Sequence, residues 1–317
     1  MLDQNIDSVE DILSVARVHA RDADVLCRDV AATIFPAALH PASEATISAV
    51  SVKLLHIIGD MESSIVGENA TNETWSLLAR SGFLREPDLV DFVLARVAED
   101  RVDDRLELKP PPLLSALLDH PNQHVTHAAR VLLAADSLHR QSDGKSFLGM
   151  PPELLHKTIW RVVAALEVKQ GTRSPKIIDA ARHLIARYDE AATAKVAAGK
   201  IIHFVGDELQ HRLLDPVDSG VHLFAAVLSG AAGIDHDHVL RIIDLESALP
   251  LIVVLASAAI SKSYALALLF QLRARNLTSR EAYFFVRSYD QISSAEATRE
   301  ITTWAASRST LLNLGLK

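Results

Sequence analysis

The densest run of groups able to do chemistry is "GIDHDHVLRIID", residues 233–244, with two histidines and three aspartates. Imidazoles and carboxylates together ligate zinc, and a paired histidine and carboxylate can move protons. Helical geometry argues for something simpler. With Asp235 as the N-cap, Val239, Leu240, Ile242 and Ile243 make the apolar face. His236 and His238 then point about 200° apart around the helix and cannot share one ion. A metal here needs a ligand from elsewhere in the chain. Asp235 and Asp237 sit where carboxylates favour a helix N-terminus, and Asp237 stands four residues before Arg241. The stretch reads as the start of a helix.

"DHPNQHVTH" (119–127) brings His120, His124 and His127 together. With Asn122 as N-cap, His124 and His127 are three apart and roughly cofacial, a spacing able to chelate zinc. His120 lies before the cap, and no HExxH arrangement follows. The pair His124 and His127 is therefore the metal alternative, set against a solvated helix start. "SDGKS" (142–146) lacks the glycine of a phosphate loop at His139 and follows a helix, so it reads as linker. His56, in "SVKLLHIIGDMESS", lies off the apolar stripe of its helix, as in histidine phosphotransfer hairpins. Yet Ile57 replaces the acidic residue usual after the phosphorylated histidine. A Ser-His-Asp hydrolase finds no GxSxG and no sheet. Cys27, the only cysteine, reads as helix packing and rules out an intrachain disulfide. His19 and the tryptophans Trp75, Trp160 and Trp304 read as core. No catalytic residue, metal or cofactor is expected, with His56 as the phospho-acceptor alternative.

These candidates need elements to carry them, and composition says which. The chain has 317 residues, 49% hydrophobic and 23% charged, with 12 glycines. That is a globular balance, rich in helix formers and poor in phosphate-cradling glycine. The twelve prolines fall where helical periodicity stops. Ser174-Pro175 and Asp215-Pro216 each place a cap residue before a first-turn proline. Thr278 with Glu281, and Ser293 with Glu296, have capping-box spacing. No strand-like alternation is found. Helices are expected over spans that include 43–66, 71–81, 87–107, 122–139, 151–168, 190–206, 216–231, 236–246, 249–260, 263–275, 278–290 and 293–309. The segment 141–150 reads as an internal linker.

The apolar run "ALPLIVVLASAAI" (248–260) is too short for a bilayer and reads as a buried helix. The N-terminus has no apolar signal region, so a cytoplasmic protein with no membrane partner is expected. Net charge is −8. Residues 1–70 carry 4 basic and 11 acidic side chains, whereas 262–317 carry 8 basic and 4 acidic. An acidic total disfavours phosphate neutralisation, so no nucleic-acid partner is expected.

Two regions are expected. In residues 1–70, Ile47, Val50, Leu54, Ile57 and Met61 follow a 3,4,3,4 spacing, matched upstream by Ile12, Ala16, His19, Ala23, Leu26 and Val30. With "PAALHP" as the turn they predict an acidic antiparallel hairpin, open to homodimerisation. From 71 to 317 the pattern becomes short helix pairs, as in "LLSALLDHPNQHVTHAARVLLAAD" (113–136). Such pairs stack into α-solenoids.

"WSLLARSGFLREPDLVDFVLARV" (75–97), "PPELLHKTIWRVVAALE" (151–167) and "LPLIVVLASAAISKSYALALLFQLRAR" (249–275) resemble a bacterial family known as domain of unknown function 2336, over roughly residues 71–310. The resemblance implies a HEAT-like helical fold and brings no catalytic residues. The expected fold is all-α, a degenerate HEAT-like α-solenoid with an N-terminal helical hairpin. The expected function is a non-enzymatic module that binds another protein. Two alternatives are a signalling protein using His56 and a small-ligand or metal-binding helical enzyme or sensor using His124 and His127.

Overall fold

A computed structural model describes residues 9–10, 12–18, 44–67, 74–106, 110–140, 146–206, 209–245, 247–273 and 277–314. Among them every regular element is helical and none is a strand. The chain runs α1 (12–18), α2 (Glu44–Val66), α3 (Thr74–Arg80), α4 (Pro87–Leu106), α5 (Pro112–Leu117) and α6 (Gln123–Arg140). It continues through α7 (Pro152–Gln170), α8 (Pro175–Ala186), α9 (Ala194–Val205), α10 (Gln210–Leu213), α11 (Pro216–Ser219) and α12 (Val221–Ala232). It ends with α13 (His236–Asp244), α14 (Leu249–Ser257), α15 (Lys262–Arg273), α16 (Ser279–Ser288) and α17 (Ser294–Leu314). No helix among the described residues is long and apolar enough to cross a membrane.

Local chemistry sets these boundaries. Pro112, Pro152, Pro175, Pro216 and Pro250 occupy first turns, where a missing N–H costs nothing. Asp215 accepts from the Val217 amide at 3.0 Å and Asp235 from the Asp237 amide at 2.9 Å, each capping its helix. Ser174 caps α8 by position only, with no side-chain hydrogen bond. Thr278 and Glu281 close a reciprocal capping box, and Ser293 and Glu296 make the same pair of contacts. The last pair holds the Glu296 carboxyl below its ordinary range, through the Ser293 hydroxyl first and its amide second.

The helix expected over 216–231 is two. Gly220, at φ 80° and ψ 167°, separates α11 from α12. A Cβ there meets the Pro111 Cγ at 2.5 Å, so glycine answers both the dihedral and the close approach of α5. The expected 190–206 helix likewise begins with a 3₁₀ turn, Glu190–Ala192, and an extended Thr193.

The described residues form two compact units, one within Met1–Leu26, Ala98–Val125 and Ile201–Lys317, the other within Cys27–Val97 and Thr126–Lys200. In the second, α2 packs on α3, α7 and α8. The seam residues Val50, Leu54, Ile57 and Met61 are fully buried, and Ile47 is half-buried. His56 is exposed, between the exposed Val52 and Leu55 on one side and the buried Ile57 on the other. Trp75 and Trp160 were expected in the core but are only half-buried. The Trp160 indole spends its N–H on His156 Nε2 at 3.1 Å, one turn earlier, which keeps it at the surface. Burial, with Glu190 and Asp189 nearby, pushes the Tyr188 phenol up to about 12, and its hydroxyl donates to the Met150 carbonyl.

The first unit is built round α14. Every residue of Leu249–Ser257 is buried, as expected of the 248–260 run. The helices α12, α13 and α17 all pack on it. The core also takes in Ile12, Val15 and Ala16 of α1, and Trp304 of α17. Of the expected hairpin, the turn "PAALHP" and His19, Ala23, Leu26 and Val30 lie outside the described residues, as does Cys27.

Gly220→Ala is expected to destabilise the protein by about 1–3 kcal/mol, the cost of a left-handed alanine added to the Pro111 clash. Urea unfolding of the two chains measures it, and an unchanged midpoint refutes the close-approach argument.

Candidate functional site

The run that opened the sequence reading folds as α13, with Asp235 as its N-cap. Its histidines, however, are inside. His236, His238 and Arg241 are all buried, because α12 and α14 both pack on α13. His222 of α12 is buried as well, and its Nε2 lies 3.0 Å from Glu99 Oε1 of α4, the two side chains 5% and 3% exposed. The His222 and His236 rings stack at 5.6 Å, tilted by 14°. The Nδ1 of His236 lies 3.3 Å from Asp237 Oδ1, and Arg241 Nη2 lies 2.9 Å from His238 Nδ1. Buried charge is costly unless it is paired and hydrogen-bonded, and each of these side chains makes at least one such contact.

The same logic ends α13. Asp244 places a carboxylate in the last turn, where the helix dipole repels it. Arg101 Nη1 meets Asp244 Oδ2 at 3.0 Å, and Arg105 pairs with the other oxygen. Arg273 of α15, fully buried, donates to the Ile243 carbonyl at 3.1 Å and to that of Leu245. Glu99 and His222 have the composition of a proton-transfer dyad but are closed from solvent. The cluster joins the 98–106 part of α4 to α12 and α13. Among the described residues no group of three His, Cys, Asp or Glu has the geometry to hold a metal ion.

A second feature lies at the surface, on α16. Phe285 and Tyr289 point inward, their rings 4.7 Å apart, and the Tyr289 hydroxyl donates to the Ile260 carbonyl at 2.8 Å. Burial pushes that phenol well above its ordinary range, with Asp290 adding to the effect. From the other end, Glu281 Oε1 accepts the Ala248 amide at 2.8 Å, tying α16 to the start of α14. Lys262 of α15 holds Asp290 at 2.8 Å. So fixed, α16 turns Tyr283 and Val286 outward, 62% and 49% exposed. At 100° per residue, Arg280, Tyr283, Val286 and Arg287 share about one third of the circumference. Both arginines are exposed, with Arg280 over the Phe284 ring at 5.7 Å.

The remaining candidates fall apart from one another. His124 is exposed and stacks on Phe204 at 5.0 Å, while His127 is exposed on the next turn. Asn122 Oδ1 accepts the His124 amide at 2.9 Å, and His120 Nδ1 accepts that of Asn122 at 3.1 Å, so these residues build the start of α6. Residues 142–145 of "SDGKS" lie outside the described residues. The α16 face escaped the sequence reading although its signal was present. In "SREAYFFVRSYD" the inward pair Phe285 and Tyr289, four apart, leaves Val286 about 80° and Tyr283 about 140° round the helix from their mean direction.

Compared with known proteins, the chain matches no family model, no curated protein and no solved structure.

Removing one partner of a buried pair leaves the other unsatisfied, so Glu99→Ala is expected to cost about 3–5 kcal/mol in urea unfolding. His222→Ala added to Glu99→Ala should cost far less than His222→Ala alone. Additive effects in that double-mutant cycle would show that the two do not interact.

Proposed function

We propose that the protein is a non-enzymatic protein-interaction module, a cytoplasmic helical scaffold in which HEAT-like helix pairs stack and another protein docks on the face of α16. One observation carries this reading. Tyr283 and Val286 stand exposed together on a helix anchored to the core by Phe285 and, at its C-terminal end, Tyr289. Single exposed apolar side chains are ordinary on protein surfaces. An exposed tyrosine with a neighbouring valine and two arginines is different, because tyrosine and arginine dominate the energetics of protein interfaces. The anchoring matters too, since a face held rigid before binding loses little conformational entropy on docking. The buried Glu99–His222 pair supports the non-enzymatic side of the reading, because its two side chains are almost wholly shielded from solvent. The resemblance to domain of unknown function 2336 agrees with a helical-repeat scaffold.

The test is affinity capture with the full chain and with Tyr283→Ala/Val286→Ala, both checked for native helix content by circular dichroism. A near-stoichiometric partner retained by the first and lost at least about tenfold by the second is the expected result. Equal retention by both removes α16 from the interface.

A second reading, phosphoryl acceptance, draws on the exposure of His56 on α2. Its expected outcome is acid-labile label from a small-molecule phosphodonor on the wild-type chain and none on His56→Ala. Equal labelling of both, or labelling of neither, ends it.

A further inference from the structure

One ion pair in the first unit joins residues far apart in sequence. Arg17 of α1 donates to Glu300 of α17 from two nitrogens, Nε to Oε1 at 2.6 Å and Nη2 to Oε2. The indole N–H of Trp304, one turn further along α17, donates to the same Oε1 at 2.8 Å. The Glu300 side chain is 4% exposed and that of Arg17 41%. A carboxylate so deeply buried is costly without a cation, and among the described residues its cation comes from α1.

Beside this pair, α1 lays an apolar stripe on the core. Ile12, Val15 and Ala16 are buried, and Val9 and Leu13 are partly buried against the same cluster. Val9, Ile12, Leu13 and Ala16 stand at i, i+3, i+4 and i+7, the anchor spacing of a helix received by a groove. Arg17 follows directly after the last anchor, while Glu10, Ser14 and Val18 are exposed. The hold is local, confined to residues 9–18. A helix that short does not persist alone in water, so α1 orders as it docks. The entropy lost in ordering offsets much of what its buried side chains and half-exposed arginine contribute. Glu300 and Trp304 belong to α17, and they stay in place whether or not α1 is seated.

We infer that this seat is an exchangeable helix-binding groove, filled in cis by α1 and open to an amphipathic helix of another protein that offers the same features. What fits is shown by α1 itself. The occupant brings apolar side chains at i, i+3, i+4 and i+7, and an arginine at i+8 that reaches Glu300. Arginine suits the position because its planar fork answers both carboxylate oxygens at once. While seated, α1 excludes the partner, so its release controls access to the groove. The α1 of a second copy is the competing occupant. Substitutions on the α16 face leave Arg17, Glu300 and Trp304 unchanged, so failure of that interface and failure of this one are separate results.

Two fluorescein-labelled peptides test this on the full chain by anisotropy. One is "VEDILSVARV", the sequence of residues 9–18. The other is an unrelated sequence with leucines at i, i+3 and i+4, alanine at i+7, arginine at i+8 and polar residues elsewhere. Wild-type chain should bind both weakly, because tethering gives its own α1 a high effective concentration. Arg17→Ala loosens α1 in cis and should bind both at least about tenfold more tightly. Replacing the arginine of either peptide with alanine should weaken binding to that chain at least about tenfold, and should change nothing when the chain also carries Glu300→Gln. Hydrogen exchange of the wild-type chain gives a measurement that needs no variant. Amides of α1 should exchange at least about a hundredfold faster than those of α14, and faster again with excess peptide. Exchange of α1 only together with α14, or no binding of either peptide to the Arg17→Ala chain at about 1 mM, overturns the inference. Binding of "VEDILSVARV" with rejection of the unrelated peptide assigns the groove to a second copy and overturns the choice of partner.

Discussion

A helix buried on every face is the constraint on which the first unit depends. In Leu249–Ser257 every residue is buried, so water contributes little to the groups that a helix leaves open at its ends. Each such group, buried without a partner, costs about 1–3 kcal/mol. Neighbouring side chains meet the demand. The Ala248 amide goes to Glu281 at 2.8 Å, the Leu249 amide to Ser247 Oγ at 3.3 Å, and the Ser257 carbonyl accepts from Ser294 at 2.9 Å. Beyond the helix the Ile260 carbonyl takes the Tyr289 hydroxyl. Three of those four partners come from α16, its C-terminal turn, or the start of α17. The apolar helix thus dictates where α16 lies, and its outward face follows.

Enclosure explains α13 in the same terms. A nine-residue helix with α12 on one side and α14 on another cannot keep all its polar side chains in water, and His236, His238 and Arg241 are buried. Histidine is suited to such a place because its neutral ring carries one donor and one acceptor. Arginine needs more, and Arg241 and Arg273 find acceptors in an imidazole and in carbonyls at the end of α13. Buried polar groups of this kind give register more than net stability, since an apolar replacement of both partners can be neutral. Glu99 with His222 sets how α4 meets α12 within this unit.

The sequence made some of this visible and hid the rest for identifiable reasons. Periodicity and prolines revealed an all-helical chain, and cap chemistry located Asp215, Asp235, Thr278 and Ser293, because capping is decided within four residues. The buried character of 249–257 was also legible, since a run whose one polar residue is Ser257 offers no solvent face. Gly220 was missed as a helix break because its reason is Pro111, distant in sequence. The burial of His236 and His238 was missed likewise, since spacing on one helix cannot show that two other helices enclose it. Trp75 and Trp160 erred in the opposite direction. Size and apolarity placed them inside, while the Trp160 N–H found its acceptor at the surface.

These particulars bear on where function can reside. The most concentrated ionisable groups in the first unit pair with one another and are buried, and their contacts join α4, α12 and α13. Among the exposed histidines, His124 sits at the start of α6, His156 accepts the Trp160 indole and His203 packs on Phe204. What the fold leaves over is a face whose underside is fastened by Phe285, Tyr289 and Glu281 and whose outer side carries Tyr283, Val286, Arg280 and Arg287. Fastening and exposure arise from one cause. Because α14 must have its ends satisfied, α16 is held still, and a helix held still presents its remaining side chains in one arrangement. On the proposed interaction reading, docking on that face gains from the stillness, since the entropy of ordering the surface has already been lost in folding.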